Sequence, residues 1–397
     1  MDSLFEKYRN RLLVTDTTFI RSSMDAILWE SRLYGIKGAR GVGKTTIMLQ
    51  YLKRNHLNDE TALYVSLDNL WFAKNSLISL ADNFVKRGGK HLFIDEVHKY
   101  PGWAQEIKNL YDDYPGLHIV FTGSSLLDIL NARADLSRRA VVHEMQGLSF
   151  REFIGMTTGK NFSIYTLEDI LNNHIEISGD ILRKIKPLQY FEKYLQYGYY
   201  PFFSEVPALY HQRIEEIVNM ILDIELPSMR GVENSHIPKI RKLLRIIAES
   251  VPFIPNISKL SERAGISRVT LLSYLIYLQE ARLINSVYRD SEGITRLQKP
   301  DKIYMENTNI MYALSLRTLA KGTLRETFLV NQLKYKHKVE YAEQGDLLID
   351  GKYTIEIGGK NKKNKQISSL PDAWIAADNI EFGTHNKLPL WLFGFLY

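Results

Sequence analysis

Residues 38–46 read GARGVGKTT, that is Gly38, Ala39, Arg40, Gly41, Val42, Gly43, Lys44, Thr45 and Thr46. The spacing G-x-x-x-x-G-K-[ST] builds a cradle for phosphate oxygens from successive backbone N–H groups at the positive end of the helix that follows. Within it Lys44 would reach the β and γ phosphates of ATP, and the Thr45 hydroxyl would take a place on Mg²⁺. The bare pattern arises by chance in roughly one chain of this length in a hundred. A second element removes most of that chance: HLFIDEVHK, in which a hydrophobic run ends in Asp95 and Glu96. Asp95 would hold the Mg²⁺ through water, and Glu96 would polarise the water that attacks the γ phosphate.

A third stretch, LHIVFTGSS, would deliver Thr122, Ser124 and Ser125 beside this site, either to orient the water or simply to cap the next helix. Arg133, Arg138 and Arg139 come next, and an arginine reaching the γ phosphate accelerates such reactions strongly. Spacing alone does not choose among the three.

Elements able to position these groups can be read around them. From about residue 31 to 150 strand-like runs (RLYGIK, TALYVSLD, HLFIDEV, LHIVFTGSS, AVVHEMQGLS) alternate with helical patterns, as in a parallel sheet covered by helices. Trp103, Ile107, Leu110 and Tyr111 recur at offsets of three and four, one apolar helix face. Residues 151 to about 250 read as tyrosine-rich helices. The stretch ISKLSERAGISRVTLLSYLIYLQEARLI then reads helix, glycine turn, helix, with Ser267 as N-cap and Leu271, Leu272, Leu275 and Leu278 as the buried face. Arg268, Thr270 and Ser273 would face outward. A following wing would place Arg289, Arg296 and Lys299 near DNA phosphates; the alternative is a rigid lever that touches no DNA.

The whole chain has 397 residues, a net charge of +6 and no cysteine. Disulfides, thiolate zinc sites and thiol catalysis are thereby excluded, and a cytoplasmic setting is expected. The charge allows a polyanionic partner without requiring one. The longest apolar run, LPLWLFGFLY, is about half of what a membrane helix needs and reads as a buried last strand, so no membrane partner is expected.

Taken together, GARGVGKTT, LFIDEVHKYPGW, FTGSS, SRRAVVHEMQGLSFREF and YLQYGYYPFF resemble the large prokaryotic family of AAA-type ATP-binding proteins with a C-terminal domain of uncharacterised function. The resemblance implies an α/β fold class: a P-loop NTPase parallel sheet (1–150), a helical lid (151–245), a winged helix-turn-helix (246–315) and a small α/β nuclease-like C-terminal domain (316–397). It implies an ATPase core but no known substrate. The residues themselves read as an ATPase with ATP and Mg²⁺ as cofactors, acting as a nucleotide-driven switch with a protein partner or homo-oligomer; the alternatives are an ATP-regulated nucleic-acid-binding protein and an ATP-binding pseudo-enzyme. The resemblance also makes Arg139 the first choice for the arginine contact. Gly147 stands where the family usually has proline, which should alter only a loop.

Nucleases with that C-terminal fold need two acids about ten residues apart and a lysine two positions after the second. Asp346 and Glu356 have the acid spacing, with Glu326 on a preceding helix as a third acid, but Gly358 stands at the lysine position. Lys360, two residues on, would substitute only if the backbone bends. A nuclease-like fold that does not cut is the expectation.

Overall fold

Four short runs of largely buried residues and a fifth, half-buried one at the edge build the sheet that carries the loop. The computed structural model describes residues 1–123, 136, 138–249, 255–289, 299–363 and 365–397, with backbone alone for 263 and 264. The chain divides into two compact units, Met1–Gly147 and Leu148–Tyr397.

In the first unit, helix α1 (Asp2–Val14) precedes β1 (Leu33–Lys37), α2 (Lys44–Asn55), β2 (Ala62–Ser66), α3 (Leu77–Lys86), β3 (His91–Asp95), α4 (Trp103–Asp113), β4 (His118–Gly123) and β5 (Val141–Glu144). The strands lie in the order β2-β3-β4-β1-β5 and every pairing is parallel. Strands β2, β3 and β4 are covered on both faces, which is why they read as continuous apolar runs rather than alternating ones. Each fully buried Leu or Ile among them contributes roughly 1.5–3 kcal/mol. On α4, Trp103, Ile107 and Leu110 are buried as their spacing predicts. Helix α1 buries Leu4, Tyr8 and Leu12, one residue per turn, against β2 and α2.

The strand order has a direct consequence for the site. The loop after β1 and the end of β3 are separated by β4 alone, so Thr122 on β4 lies between them, in register with Ile36 of β1. Ligands of parallel α/β sheets gather outside the carboxyl ends of the strands.

The second unit starts with helices α5 (Phe150–Thr158), α6 (Leu167–Leu182), α7 (Pro187–Tyr197), α8 (Tyr210–Met220) and α9 (Ile237–Glu249). Capping boxes start α5 (Ser149 with Glu152) and α6 (Thr166 with Asp169), and α8 runs on through a π-helical turn, Ile221–Glu225. Helices α10 (Ile257–Ala264) and α11 (Arg268–Glu280) are joined by a turn at Gly265, whose φ of +60° suits glycine. Ser267 caps α11 by accepting from the Thr270 N–H, and Leu271, Leu272, Leu275 and Leu278 are buried as expected. An antiparallel pair, β6 (Ile284–Val287) and β7 (Lys302–Met305), follows. Then come α12 (Thr308–Leu314), α13 (Lys321–Leu333) and a mixed sheet of β8 (Val339–Tyr341), β9 (Leu347–Ile349), β10 (Tyr353–Gly358), β11 (Ala373–Ala377) and β12 (Lys387–Pro389), in the order β12-β11-β10-β9-β8.

Two expectations change here. The helices after residue 150 do not stand apart from the C-terminal sheet. Phe150, Ile154, Phe191 and Tyr194 share one core with Phe328, Ile355 and Trp391, so blocks expected at 151–245 and 316–397 pack as one body. The final apolar run is buried, but only Lys387–Pro389 is strand; Leu390–Phe395 is a 3₁₀ helix enclosed on all sides. A Cβ on Gly394 would come within 2.3 Å of the Phe150 Cβ, so this segment winds tightly against α5. The tyrosine-rich stretch is pinned by fully buried Asn309 of α12. Its Oδ1 accepts from the Tyr199 N–H at 2.8 Å and the Tyr210 hydroxyl at 2.5 Å, and its Nδ2 donates to the Leu195 carbonyl at 2.8 Å.

Candidate active site

The loop takes the shape its glycines permit. Gly41 and Gly43 have φ of +80° and +98°, a region that side chains resist. A Cβ on Gly38 would lie 2.4 Å from the Met145 carbonyl oxygen, so no larger residue fits there. Arg21, itself buried, ties the loop to the chain after β5 by donating to the Val42, Gln146 and Gly147 carbonyls at 2.9, 3.0 and 2.8 Å. Val42 is buried, Ala39 and Arg40 are half-buried, and Thr46 is exposed on the first turn of α2.

Lys44, 4% exposed, folds over the loop and donates to the Gly38 and Ala39 carbonyls at 2.8 and 2.9 Å. Thr45 donates its hydroxyl to Asp95 Oδ2 at 2.7 Å. Asp95 is buried and receives three further donors: Tyr64 OH on Oδ2 at 2.8 Å, the Thr122 hydroxyl on Oδ1, and the Glu96 N–H on Oδ1 at 3.0 Å. Both oxygens are therefore held, and the plane of the carboxylate is set.

Glu96 follows with φ of +53°, rare for a residue with a side chain and costing of order 1–3 kcal/mol. Strain of this kind, beside a buried carboxylate, marks a side chain whose direction matters. Glu96 Oε2 lies 3.4 Å from His98 Nε2, which faces Arg40 Nη2 at 3.1 Å. Burial, then the charges of Arg40, Lys99 and Lys44, push the His98 pKa down to about 3. His98 is thus neutral at physiological pH, its Nε2 accepts from the guanidinium, and its approach to Glu96 is not an ion pair.

These residues fit a nucleoside triphosphate with magnesium. The Thr45 hydroxyl and the Asp95 carboxylate are hard oxygen donors 2.7 Å apart, the type Mg²⁺ prefers, and a buried ammonium stands beside a glycine-shaped loop. Held there, Mg²⁺ would neutralise negative charge on the phosphates.

Several residues here carry no sequence signal of their own. Tyr64, buried in β2, also accepts from Arg11 Nη1 of α1 at 2.5 Å. Burial, with the Asp95 charge next, pushes its phenol well above the ordinary value, so it acts as a donor. A tyrosine in a fully buried strand must find a polar partner, which is the one hint the sequence offers. Tyr64→Phe keeps the packing, removes the hydrogen bond to Asp95, worth about 1.5–3 kcal/mol, and also takes away the acceptor that Arg11 uses. The Mg²⁺ concentration giving half-maximal ATP binding is expected to rise roughly tenfold, while binding without Mg²⁺ stays within twofold. An unchanged Mg²⁺ titration would show that the hydroxyl does not position Asp95.

Arg139 is a correction. Its Nε and Nη2 donate to both oxygens of Asp112 at 2.9 and 3.0 Å. It precedes β5, which begins opposite Tyr34, whereas the phosphate loop follows Lys37 at the other end of β1. Arg139 therefore sits at the strand-start edge and does not meet the loop. Arg138 is exposed in the same turn with φ of +69°. Ser124, Ser125, Arg133 and Arg296 lie outside the described residues.

The acids of the second unit do converge, but onto lysines. Lys302 of β7 donates to Glu326 Oε2 of α13 at 3.2 Å and to Asp346 Oδ1 at 3.4 Å, and Tyr304 OH donates to Glu326 at 2.7 Å. Burial works against the charge on Lys302, but its two carboxylates outweigh it and raise its pKa. Glu326, with one lysine shared between two acids, is pushed up by its own burial. Glu356 of β10 is buried and paired with Lys362. Lys360, the expected substitute, is instead exposed, because the chain turns after Gly359 with the Lys362 N–H on its carbonyl at 2.9 Å. That turn lays the Lys362 stem over Gly358, where a Cβ would meet its Cγ at 2.6 Å. Lys362 thus occupies the space a lysine side chain at 358 would start from. Among the described residues no group of three or more His, Asp or Glu is arranged to hold a metal ion.

Residues 30–154 match the AAA domain family, and residues 188–321 match a family described as a domain of unknown function (DUF8612). The uncharacterised protein MJ1637 of Methanocaldococcus jannaschii is 24% identical over 97% of this chain and 88% of its own length. Among solved structures, the Walker-type ATPase PABY2304 of Pyrococcus abyssi is 13% identical, with a TM-score of 0.43 over 75% of this chain and 95% of that one. AMPPCP-bound DnaA from Aquifex aeolicus is 14% identical, with a TM-score of 0.28 over 65% of this chain and 84% of that one. The family match, the phosphate loop and the parallel sheet agree on an AAA-type P-loop ATPase domain in the N-terminal part of the chain. No helix among the described residues is long and apolar enough to cross a membrane.

Proposed function

We propose that this chain is a Mg²⁺-dependent ATPase that works as a nucleotide-driven switch in the cytoplasm, its ATP state changing what the second unit can bind. The observation that carries the reading is the convergence of Thr45, Tyr64 and Thr122 on Asp95, with strained Glu96 next to it. The loop N–H groups and Lys44 would bind and orient the phosphates. Glu96 would accept the proton of the attacking water, and Thr45 and Asp95 would hold the metal directly and through water. Because Arg139 is committed to Asp112, turnover is expected to be slow until a partner or a second copy supplies the missing charge.

The acids of the second unit support a nuclease-like fold that does not cut. Lys302 is placed between Glu326 and Asp346, and Lys362 neutralises Glu356, so cations of the chain itself occupy the acids' open sides.

The test uses the whole chain with millimolar ATP. Nucleotide at about a hundred times its Kd stabilises by about 2.7 kcal/mol, so the thermal midpoint should rise by several degrees with Mg²⁺ and far less in EDTA. Phosphate should be released slowly, and DNA incubated with Mg²⁺ should remain intact. Binding without any phosphate release, at high protein concentration and over hours, would replace the enzyme by an ATP-binding pseudo-enzyme.

A further inference from the structure

A second charged feature is lined by none of these acids. Between the start of α10, the start of α11 and Lys299, three residues before β7, is a cavity of about 290 Å³, lined by Pro255, Asn256, Ile257, Ser258, Arg268 and Lys299. Two of the six are cations and none is a carboxylate. Neither Arg268 nor Lys299 forms an ion pair among the described residues, and both are exposed. Two like charges brought to one hollow from separate elements repel each other, and they gain only from an anion between them. The Ser258 hydroxyl and the Asn256 amide add neutral hydrogen-bonding groups to the rim. Such a lining suits a group with several charged oxygens on a tetrahedral centre, a phosphate.

The neighbourhood of the cavity favours a phosphate that belongs to a duplex. Arg268 opens α11, the second helix of the helix-turn-helix pair, and the next exposed positions along it are Val269 and, half-buried, Thr270 and Ser273. Val269 is 63% exposed with no apolar requirement of its own. Hydroxyls and a small apolar group at the start of such a helix are what read base edges and thymine methyls in a major groove. A backbone phosphate held at Arg268 and Lys299 would fix that helix start against the groove, since phosphate contacts set position and base contacts set sequence.

We propose that this cavity binds a backbone phosphate of double-stranded DNA, with Arg268 and Lys299 as its paired cations and the start of α11 facing the bases. The site stands independently of the nucleotide reading, so it is tested without ATP. Binding of the full chain to a labelled duplex is followed by fluorescence anisotropy over a series of salt concentrations. Arg268→Ala with Lys299→Ala is expected to weaken binding by about 10- to 100-fold at moderate salt, and to lower the slope of log K against log salt by about one per cation removed. Both residues are exposed, so folding should be unaffected, and a thermal midpoint near that of wild type checks it. An equal loss of charge at Lys86 and Arg87, on the first unit, should leave affinity within twofold.

The proposal is overturned if wild type shows no duplex binding, if the double variant keeps affinity and slope, or if the Lys86 and Arg87 control weakens binding equally. Inorganic phosphate at matched ionic strength forms the last arm. Thermal stabilisation of wild type by phosphate, lost in the double variant and without any duplex binding, would assign the cavity to a free anion and sink the DNA reading.

Discussion

Lys44→Ala is expected to weaken ATP binding by roughly two orders of magnitude, which corresponds to about 3 kcal/mol. The side chain is almost wholly buried and its ammonium already lies on the loop carbonyls of Gly38 and Ala39, so little rotamer freedom remains to be lost when phosphates arrive. Removing it takes away the buried ammonium at the start of α2 while leaving Gly41, Gly43 and the helix start in place. The measurement is the Kd for a fluorescent ATP analogue with Mg²⁺, with the thermal midpoint of the nucleotide-free variant as the control for folding. A Kd within threefold of wild type would mean that the loop does not hold the triphosphate as described.

Glu96→Gln separates binding from turnover. Glutamine matches glutamate in shape and faces the same cost at φ of +53°, so the backbone after β3 should be undisturbed. What it lacks is a basic oxygen for the proton of the attacking water, a loss worth about 10²–10⁴-fold in rate. Single-turnover phosphate release should fall by that factor while the Kd for Mg²⁺-ATP stays within a few fold, so the variant holds ATP unhydrolysed. Release at the wild-type rate would mean that Glu96 does not take the proton of the attacking water.

The loop and the Asp95–Glu96 pair are legible in the sequence because each is a local pattern: a run of glycines before a helix, and two acids ending an apolar strand. The parallel sheet is legible for the same reason, since strands buried on both faces declare themselves as apolar runs. Tyr64 and Arg11 are not, because their roles depend on β2 lying next to β3 and on α1 packing over β2, which are matters of tertiary neighbourhood. Arg139 misleads for a related reason. Its closeness to the loop in sequence says nothing of which end of β5 it occupies. Lys360 gives way to Lys362 because a tight turn after Gly359 breaks the two-residue alternation that an extended strand would keep. Leu390–Phe395 shows the limit of hydrophobic patterning, since a short apolar run fits a buried strand and a buried helix equally well.

The Leu390–Phe395 segment also constrains how the second unit comes into being. Trp391, Phe393 and Phe395 are interior packing for a core that begins at Phe150, and Ser149 donates its hydroxyl to the Tyr397 carbonyl at 2.7 Å. During synthesis the helices from 150 onward emerge long before these aromatic rings exist to cover them. Residues 150–197 must therefore wait, with Phe150, Phe153 and Phe191 incompletely covered, until the stretch reaching Tyr397 has cleared the ribosome. The first unit, whose strands all lie within 147 residues, has no such delay. A nascent chain of this protein is thus expected to pass through a stage in which its first unit can already close while the apolar rings of its second half are still exposed.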